Sequence, residues 1–286
     1  MSILVDESTR IIVQGITGKQ GSYHAARMLE SNSRVVAGIS PGKGGQSVHD
    51  IPVYNTIKEA KRNVSIDASM VIVPPAGVFE AALEAINNDI PLVVIITEFV
   101  PVHDMIKLKN IASYKEVSLL GPNTIGVISP GKSKIGIMPS YLYSRGSIGI
   151  ISRSGTLTHE VASNLTFKNI GQSTCVGIGG DPIKGMNFSQ VIELFLHDEQ
   201  TDKVIILGEI GGSDEELLAE YLSNRGFNKE VMAFIAGRSA PPGKKMGHAG
   251  AIIARGMGTA DSKVSSLSNA GIQVAKDMDE LLEFAS

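Results

Sequence analysis

The sequence predicts an α/β protein with two parallel-sheet domains, a Rossmann-like domain followed by a flavodoxin-like one. Apolar runs of strand length alternate with helical segments along almost the whole chain, which is the pattern of a parallel sheet covered by helices. The first run, Arg10–Gln14, enters a turn with glycines at 15, 18 and 21 and then a helical segment. A segment rich in Pro, Gly and Ser, Ser129–Ser147, separates two such series. We therefore expect domains at residues 1–128 and 145–286.

The composition indicates an ordinary globular chain. Of its 286 residues, 43% are hydrophobic, enough to fill two cores, and the formal net charge is −3. The basic residues are scattered, so we expect no nucleic-acid partner. No apolar run approaches the ~18 residues that span a bilayer, and no signal peptide is evident, so we expect a cytoplasmic protein without membrane contact. Cys175, the one cysteine, is expected in the core rather than as a nucleophile.

The first domain should bind its ligand where its parallel strands end at their carboxyl termini. Its predicted strands are Arg10–Gln14, Val35–Ile39, Met70–Val73, Leu92–Ile96 and Val117–Leu120. Its predicted helices are Ser22–Glu30, Val78–Asn87 and Val102–Ala112.

The second domain shows the same alternation of strands and helices. Its predicted strands are Ile148–Ile151, Thr174–Ile178, Val204–Leu207, Val231–Ile235 and Ile272–Ala275. Its predicted helices are Thr156–Lys168, Phe188–Leu196, Asp214–Leu222, Asp261–Asn269 and Met278–Phe284.

The turn after the first strand lacks the glycine spacing of a dinucleotide site. Such a site also has an acidic residue about 20 residues further on, which holds the ribose hydroxyls. This chain has Lys43 in that region, in the sequence Ser-Pro-Gly-Lys. Because a lysine attracts phosphate, a phosphorylated adenosine such as coenzyme A (CoA) fits the site better than NAD. The alternative is a solvated lysine in a Gly/Pro turn.

His248 lies in a glycine-rich, cationic segment, residues 236–251, directly after the predicted strand Val231–Ile235. A neutral imidazole is a good nitrogen nucleophile near neutral pH, and Gly247 and Gly250 allow the backbone to move it between two positions. These properties suit a carrier of a transferred group. The alternative is a loop histidine without a chemical role.

Two other segments at strand ends contain candidate site residues. Ser154, Gly155 and Thr156 would present backbone N–H groups at a helix N-terminus, which predicts an anion site; the alternative is an ordinary N-cap. Glu209 follows the strand Val204–Leu207, where its carboxylate could accept one imidazole N–H and leave the other ring nitrogen to react. The alternative is a surface acid.

These segments resemble the α subunits of succinyl-CoA synthetase (succinate–CoA ligase). Gly-His-Ala-Gly-Ala at residues 247–251, followed by Gly-Thr-Ala-Asp at 258–261, is similar to the phosphohistidine loop of that family. Further matching segments occur in the same order over essentially the whole chain. They are Pro-Gly-Lys-Gly-Gly at 41–45, Ser-Arg-Ser-Gly-Thr-Leu-Thr at 152–158, Cys-Val-Gly-Ile-Gly-Gly-Asp-Pro at 175–182 and Gly-Glu-Ile-Gly-Gly at 208–212.

The resemblance implies that the first domain binds CoA and that His248, oriented by Glu209, carries a phosphoryl group. It also implies contacts to substrate or phosphate from Ser154–Thr156 and His159, and it gives no reason to expect a metal site in this chain. The CoA contacts that it implies are Thr17, Gly18, Lys19, Gln20, Lys43, Ile96, Thr97 and Glu98.

The reaction that the resemblance implies converts succinyl-CoA, phosphate and a nucleoside diphosphate into succinate, CoA and a nucleoside triphosphate. It passes through an acyl phosphate and a phosphohistidine. The segment Gly237–Lys245 looks like a P-loop, but it has five residues between its glycines rather than four, and Lys245 stands where Ser or Thr would hold magnesium. We therefore expect the Mg-nucleotide on a partner, the nucleotide-binding β subunit of the family.

Two positions depart from the family pattern. His159 replaces a usual tyrosine that contacts the substrate, and we expect it to take an equivalent role; Thr124 and Ile125 replace a usual Cys-Pro pair. The sequence leaves open the acid, ATP versus GTP, and αβ versus (αβ)2 assembly. Two alternatives also remain open, an α-type subunit of a related enzyme such as malate–CoA ligase and a non-catalytic CoA-binding regulatory subunit.

Overall fold

The computed structural model describes residues 2–238, 247–253 and 258–286. These residues form two compact units, the first made of Leu4–Pro139 with Ile183–Gly185 and the second chiefly of Ser140–Pro182 and Met186–Ser286. Each unit is an α/β fold with a mainly parallel sheet, which confirms the predicted fold class. Among the described residues, no helix combines the length and the apolar character needed to cross a membrane.

The first unit holds the first ligand-binding region predicted from the sequence. Its strands are β1 (Arg10–Gln14), β2 (Arg34–Ile39), β3 (Ser47–Val48), β4 (Ile51–Tyr54), β5 (Ala68–Val71), β6 (Leu92–Ile95), β7 (Ser118–Leu120), β8 (Gly126–Ser129) and β9 (Ser133–Gly136). Its helices are α1 (Lys19–Leu29), α2 (Ile57–Ala60), α3 (Val78–Asn87) and α4 (Val102–Tyr114).

The sheet of the first unit has the strand order β3-β4-β2-β1-β5-β6-β7. Its pairs are parallel except for the antiparallel pair of β3 with β4. Without the short β3, this is the order of a Rossmann domain, and the direction of strand succession reverses beside β1. The loops that follow β1 and β5 therefore leave the sheet on either side of this switch point, where ligands of such sheets bind.

Apolar residues explain why the helices of the first unit pack against its sheet. The central strands β5 and β6 are buried at every residue, as expected for a parallel sheet with both faces covered. Helix α3 contributes four buried residues at helical spacing, Val78, Ala82, Ala85 and Ile86. The buried Gln14 is satisfied within the core, since its Nε2 donates to Ser69 Oγ and to the Ala81 carbonyl, both at 2.9 Å.

The turn after β1 brings the start of α1 close to the strand end. Gly15 has φ +89°, a left-handed conformation that favours glycine. A Cβ on Gly21, in the first turns of α1, would lie 2.1 Å from the Gly15 carbonyl oxygen. The helix can therefore pack this tightly against the turn only because Gly21 has no side chain.

The second unit contains the segments in which we predicted the catalytic residues. Its strands are β10 (Arg145–Ser152), β11 (Gln172–Gly177), β12 (Lys203–Glu209), β13 (Glu230–Ala236) and β14 (Gln273–Ala275). Its helices are α5 (Gly155–Phe167), α6 (Phe188–Leu196), α7 (Asp214–Arg225), α8 (Ala260–Asn269) and α9 (Met278–Ala285).

The strands of the second unit lie in the order β14-β13-β12-β10-β11, and these pairs are parallel. This is the flavodoxin-like order, as predicted. Cys175 in β11 is fully buried, and burial raises the pKa of its thiol well above the usual value, which fits a core residue. The carboxyl ends of β11, β10, β12 and β13 follow one another along one edge of the sheet.

The main differences from the predicted elements lie at their ends and in the shortest ones. Helix α1 begins at Lys19 rather than Ser22, because tight packing of the helix against the turn overrides the low helix propensity of glycine. Strand β5 ends at Val71 rather than Val73, shortly before two prolines. The predicted loop Ser129–Ser147 contains β9 and the start of β10. Elements of two to four residues, such as β3 and α2, are too short to show a hydrophobic period.

Gly21→Ala should destabilise the first unit, because the new methyl group would meet backbone that cannot move aside. We expect the free energy of unfolding to fall by about 1–3 kcal/mol, the usual cost of overpacking. Gly77→Ala is the matched control, since the nearest atom to its Cβ would be at 3.6 Å, an ordinary contact. Chemical denaturation of the three proteins measures the effect, and equal stability of Gly21→Ala and Gly77→Ala would contradict the packing argument.

Candidate functional site

The structure brings together His248 and Glu209, the two residues predicted to form the catalytic pair. The imidazole Nδ1 lies 2.9 Å from Glu209 Oε2 and 3.1 Å from Oε1. Glu209 ends β12 and is 7% exposed, so the predicted alternative of a surface acid is wrong. Since a carboxylate only accepts hydrogen bonds, Nδ1 carries the proton and Nε2 keeps a free lone pair. The pair therefore prepares Nε2 as the reactive nitrogen.

The imidazole of His248 packs directly against backbone. A Cβ on Gly180 would lie 2.4 Å from His248 Cγ, so the ring can occupy this position only because residue 180 is glycine. The loop is held there by a hydrogen bond from the Gly250 N–H to the Gly180 carbonyl at 3.1 Å. The segment after β11 thus forms one side of the histidine site.

The surroundings of His248 favour its protonated form more than water does. The hydrogen bond to Glu209 is the largest cause that raises the pKa of the imidazole; burial and the nearby Arg153 oppose it, and Asp181 adds to it. A raised pKa means that less of the imidazole is neutral near pH 7. The same carboxylate therefore orients the nucleophile and reduces the fraction that is ready to react at low pH.

Glu209 contacts a group of buried charges that the sequence did not reveal. The side chain of Arg153 is 1% exposed, and its Nη2 lies 3.4 Å from Glu209 Oε1. Its Nη1 lies 3.1 Å from Oε1 of the fully buried Glu215, which also contacts the Lys263 ammonium group. Arg153 belongs to a quoted motif, but nothing in the sequence pairs it with Glu215, 62 residues away, or pairs Glu215 with Lys263, 48 residues away.

The predicted anion site lies at the start of α5. Ser154 is the N-cap of that helix: its Oγ accepts from the Leu157 N–H at 3.4 Å, and its own N–H donates to Ser152 Oγ at 3.0 Å. The first-turn amides of Gly155 and Thr156 have no intrahelical partner, as in any helix. Ser154 therefore acts as an N-cap, and the predicted anion site at the positive end of this helix stays a prediction.

His159 lies one turn further along α5 than the predicted anion site. Its Nδ1 is 2.6 Å from the hydroxyl of Tyr143, and their rings meet edge to face. Burial lowers the pKa of His159, so the ring is mainly neutral near pH 7. His159 is thus hydrogen-bonded to Tyr143. The contact of His159 with the substrate stays a prediction.

In the first unit, the segments predicted to contact CoA lie at strand ends of one sheet. Thr17 Oγ1, after β1, donates to Ser40 Oγ, after β2, at 3.0 Å. Thr97 Oγ1, after β6, donates to the carbonyl of Val73, after β5, at 2.7 Å. Neighbouring loops are thereby connected in pairs around the switch point. Gly18 and Glu98 in these loops are exposed, as are Lys19 and Gln20 at the start of α1, and Ile96 is partly buried.

The loop with Lys43 is shaped by a residue that the sequence did not single out, Asn55. Asn55 Oδ1 accepts from the N–H groups of Gly42 at 2.9 Å and Gly44 at 3.0 Å, the two residues that flank Lys43. The Lys43 N–H donates to the Ser40 carbonyl at 3.0 Å. The backbone of the loop is therefore fixed while the lysine side chain remains exposed. Of the P-loop-like segment Gly237–Lys245, residues 239–245 lie outside the described residues.

Family models match both units. A model described as CoA binding domain matches residues 6–99, and a model described as CoA-ligase matches residues 151–273. The folds, the histidine pair and these matches define the class of the protein as an acid–thiol ligase that acts on CoA.

Comparison with individual relatives narrows the class. The chain is 49% identical over 283 residues to the alpha 1 subunit of ADP-forming succinate–CoA ligase from Archaeoglobus fulgidus, covering 99% of this chain and 97% of the relative. It is 52% identical over 272 residues to the alpha subunit of the same ligase from Methanothermobacter thermautotrophicus, covering 95% of this chain and 92% of the relative. The chain belongs to the family of α subunits of ADP-forming succinate–CoA ligases.

A solved structure agrees with the fold. An ATP citrate lyase from Methanosaeta concilii, determined with (3S)-citryl-CoA, superposes with a TM-score of 0.90 and 26% identity over 99% of this chain. The chain spans 50% of the length of that protein. The shared part is therefore the complete two-unit fold of this chain within a larger polypeptide.

Glu209→Gln should lower the pKa of His248, because a neutral amide of the same shape replaces the carboxylate that raises it. At a given pH below the wild-type midpoint, more of the imidazole is then neutral. Exchange of the imidazole Cε1 hydrogen for deuterium, followed by mass spectrometry across pH, measures this pKa in the assembled protein.

Glu193→Gln is the control for this experiment, since Glu193 also contacts a histidine, His197, at 2.9 Å, but on the exposed surface of the same unit. It should leave the pKa of His248 unchanged. An unshifted pKa in Glu209→Gln would show that the carboxylate does not control the imidazole.

Proposed function

We propose that this succinate–CoA ligase α subunit works through an acyl phosphate and a phosphohistidine at His248. It would interconvert succinyl-CoA, phosphate and a nucleoside diphosphate with succinate, CoA and a nucleoside triphosphate. The observation that carries the proposal is the hydrogen bond between His248 Nδ1 and the buried Glu209 carboxylate, which leaves Nε2 as a nucleophile. Identity of 46–52% to subunits named for succinate favours that acid over malate.

The first step would form the acyl phosphate. A phosphate oxygen attacks the carbonyl carbon of the thioester, the carbon–sulfur bond breaks, and CoA leaves as a thiolate that takes up a proton. Phosphate would lie at the N-terminus of α5, against the amides of Gly155 and Thr156 and the Ser154 hydroxyl. The helix dipole would stabilise negative charge there without moving.

In the second step His248 Nε2 would attack the phosphorus of the acyl phosphate. The phosphorus–oxygen bond to the acyl group breaks, and succinate leaves as a carboxylate. The developing positive charge on the ring would lie next to the Glu209 carboxylate, which is already hydrogen-bonded to Nδ1. Because Nδ1 is occupied, the phosphoryl group is directed to Nε2 alone.

In the third step the loop of His248 would deliver the phosphoryl group to a nucleoside diphosphate. The sequence of the P-loop-like segment does not fit a nucleotide site, so the Mg-nucleotide would be held by a β subunit, as the name of the family implies. Gly247 has φ +80°, and a Cβ on it would meet no atom within 4 Å among the described residues. That geometry supports a backbone pivot beside the histidine.

CoA would bind the first unit at the carboxyl ends of β1, β2 and β6. Lys43 would contact a phosphate of CoA, and the segment Thr17–Gln20, which leads into α1, would contact its diphosphate through backbone N–H groups. Three features support this arrangement: the CoA-binding family match, the Rossmann strand order and the loop geometry that Asn55 fixes. Ile96, Thr97 and Glu98 would complete the site from the neighbouring loop.

His248→Asn should abolish phosphorylation of this subunit. Incubation of the α–β complex with ATP, magnesium and labelled γ-phosphate is expected to label the wild-type subunit with a phosphate that is stable in base and labile in acid. The variant should lose both the label and turnover, while its CoA affinity stays within about twofold, less than ~0.5 kcal/mol. Label that persists in His248→Asn would place the phosphoryl group on another residue.

Lys43→Ala should weaken CoA binding by about 1.5–3 kcal/mol, the range for a hydrogen bond to a charged group. Isothermal titration calorimetry of the complex with CoA measures the change, and the nucleotide affinity should not change. Lys109→Ala, an exposed lysine on α4, is the matched control. Equal CoA affinities of the two variants would return Lys43 to a solvated surface position.

A further inference from the structure

Arg153 contacts Glu209, the residue whose carboxylate is hydrogen-bonded to His248. Its Nη1 donates to the backbone carbonyls of Glu209 at 3.2 Å and Gly211 at 2.8 Å, while Nη2 lies 3.4 Å from the Glu209 side-chain carboxylate. One guanidinium group therefore contacts the main chain at the last residue of β12 and two residues beyond it, and it also contacts the Glu209 carboxylate. Few side chains other than arginine have enough donors in a fixed plane to make these contacts together.

A second layer holds Arg153 in place. Glu215 Oε1 accepts from Arg153 Nη1 at 3.1 Å and from the Glu209 N–H at 3.1 Å, while Glu215 Oε2 accepts from Lys263. Lys263 also donates to the Gly212 carbonyl at 3.1 Å. Glu215 and Lys263 are both fully buried. Glu209 is thus fixed through its backbone N–H, its backbone carbonyl and its carboxylate. The three charged side chains that form this cluster, Arg153, Glu215 and Lys263, are all buried.

We propose that Arg153 is a positioning residue for phosphoryl transfer: it acts through Glu209 and fixes the carboxylate at the distance and angle that His248 needs. Glu215 and Lys263 serve to anchor it. The inference rests on the proposed phosphohistidine function of His248. It assigns a role to three charged residues that the predicted site did not include.

Stability alone does not account for this cluster. A buried ion pair generally gives up as much in lost hydration as its Coulomb attraction returns, and well-packed apolar residues of similar size often serve equally well. What ions provide, and apolar side chains do not, is a fixed set of directions for hydrogen bonds. Here those directions converge on Glu209, the residue that orients the nucleophile.

A direct contact of Arg153 with phosphate is the competing role, since Arg153 immediately precedes Ser154. The geometry disfavours it, because the side chain is 1% exposed and Nη1 already serves three protein acceptors. Burial lowers the pKa of Arg153, but Glu215 and Glu209 outweigh burial and raise it overall, so the group is a fixed cation within the protein. Such a cation is better suited to holding Glu209 in position than to binding a solvated anion reversibly.

The test is a double-mutant cycle in the α–β complex with Arg153→Lys and Glu209→Ala. Arg153→Lys keeps the charge and loses the planar fork. Single-turnover phosphorylation of His248 by ATP gives the rate, and its pH dependence gives the pKa of the imidazole. Steady-state kinetics give KM for phosphate. Arg225→Lys is the matched control, since Arg225 binds Glu193 at 2.6 Å on the surface of the same unit.

If Arg153 acts through Glu209, Arg153→Lys should slow phosphorylation at least about tenfold and change KM for phosphate less than about twofold. The pKa of His248 should fall, since the displaced carboxylate no longer raises it. In the Glu209→Ala background, Arg153→Lys should slow the reaction less than about twofold further. Arg225→Lys should behave as the wild type.

Multiplicative losses in the double variant, or an increase in KM for phosphate with little change in the rate, would overturn the proposal in favour of direct phosphate binding. An unchanged rate and pKa in Arg153→Lys would overturn it as well. If Arg153→Lys does not assemble with the β subunit, Glu215→Gln takes its place, because it removes the anchoring charge at constant size. The same phosphorylation rate, His248 pKa and double-mutant cycle then support or overturn the proposal. Absence of phosphohistidine in the wild type would instead defeat the proposed function.

Discussion

The contact on which the proposed chemistry of the second unit depends is the hydrogen bond between His248 Nδ1 and the Glu209 carboxylate. It determines the tautomer of the imidazole, leaves Nε2 free to react and places a negative charge beside the ring. The same bond raises the pKa of His248 and so reduces its neutral fraction. The carboxylate therefore orients the imidazole but also lowers the fraction that can react. The distance between the His248 ring and the Glu209 carboxylate has to balance these two effects.

The parallel sheet provides that control by placing four strand ends side by side. In the order β11, β10, β12, β13, the strands deliver Gly180, Arg153, Glu209 and the segment of His248 to one edge. Residues at strand ends are held by the hydrogen bonds of the sheet, whereas the proposed phosphoryl transfer requires His248 to lie on a loop that can change its position. The site thus combines three residues that follow or end strands with one loop, an arrangement that agrees with the proposed carrier role of His248.

The sequence was informative where a residue acts through a local pattern. The alternation of strands and helices predicted both sheets, and strand-end position together with family resemblance pointed to His248 and Glu209. It was uninformative for Arg153, Glu215 and Lys263, because charged residues normally lie on the surface and contacts across 48 to 62 residues leave no local pattern. Asn55 escaped notice for the same reason, since its role depends on a turn 11 to 13 residues away.

The cations of the two units illustrate two different uses of positive charge. Lys43 is exposed on a loop whose backbone is fixed, and in the proposed CoA site its hydrated side chain would bind and release a phosphate at modest cost. Arg153 and Lys263 are buried and paired with the buried Glu215, so an exchange of partners would leave a carboxylate uncompensated in the interior. Reversible binding requires the first arrangement. A preorganised site, whose dipoles must not rearrange while charge develops on the transferred group, requires the second.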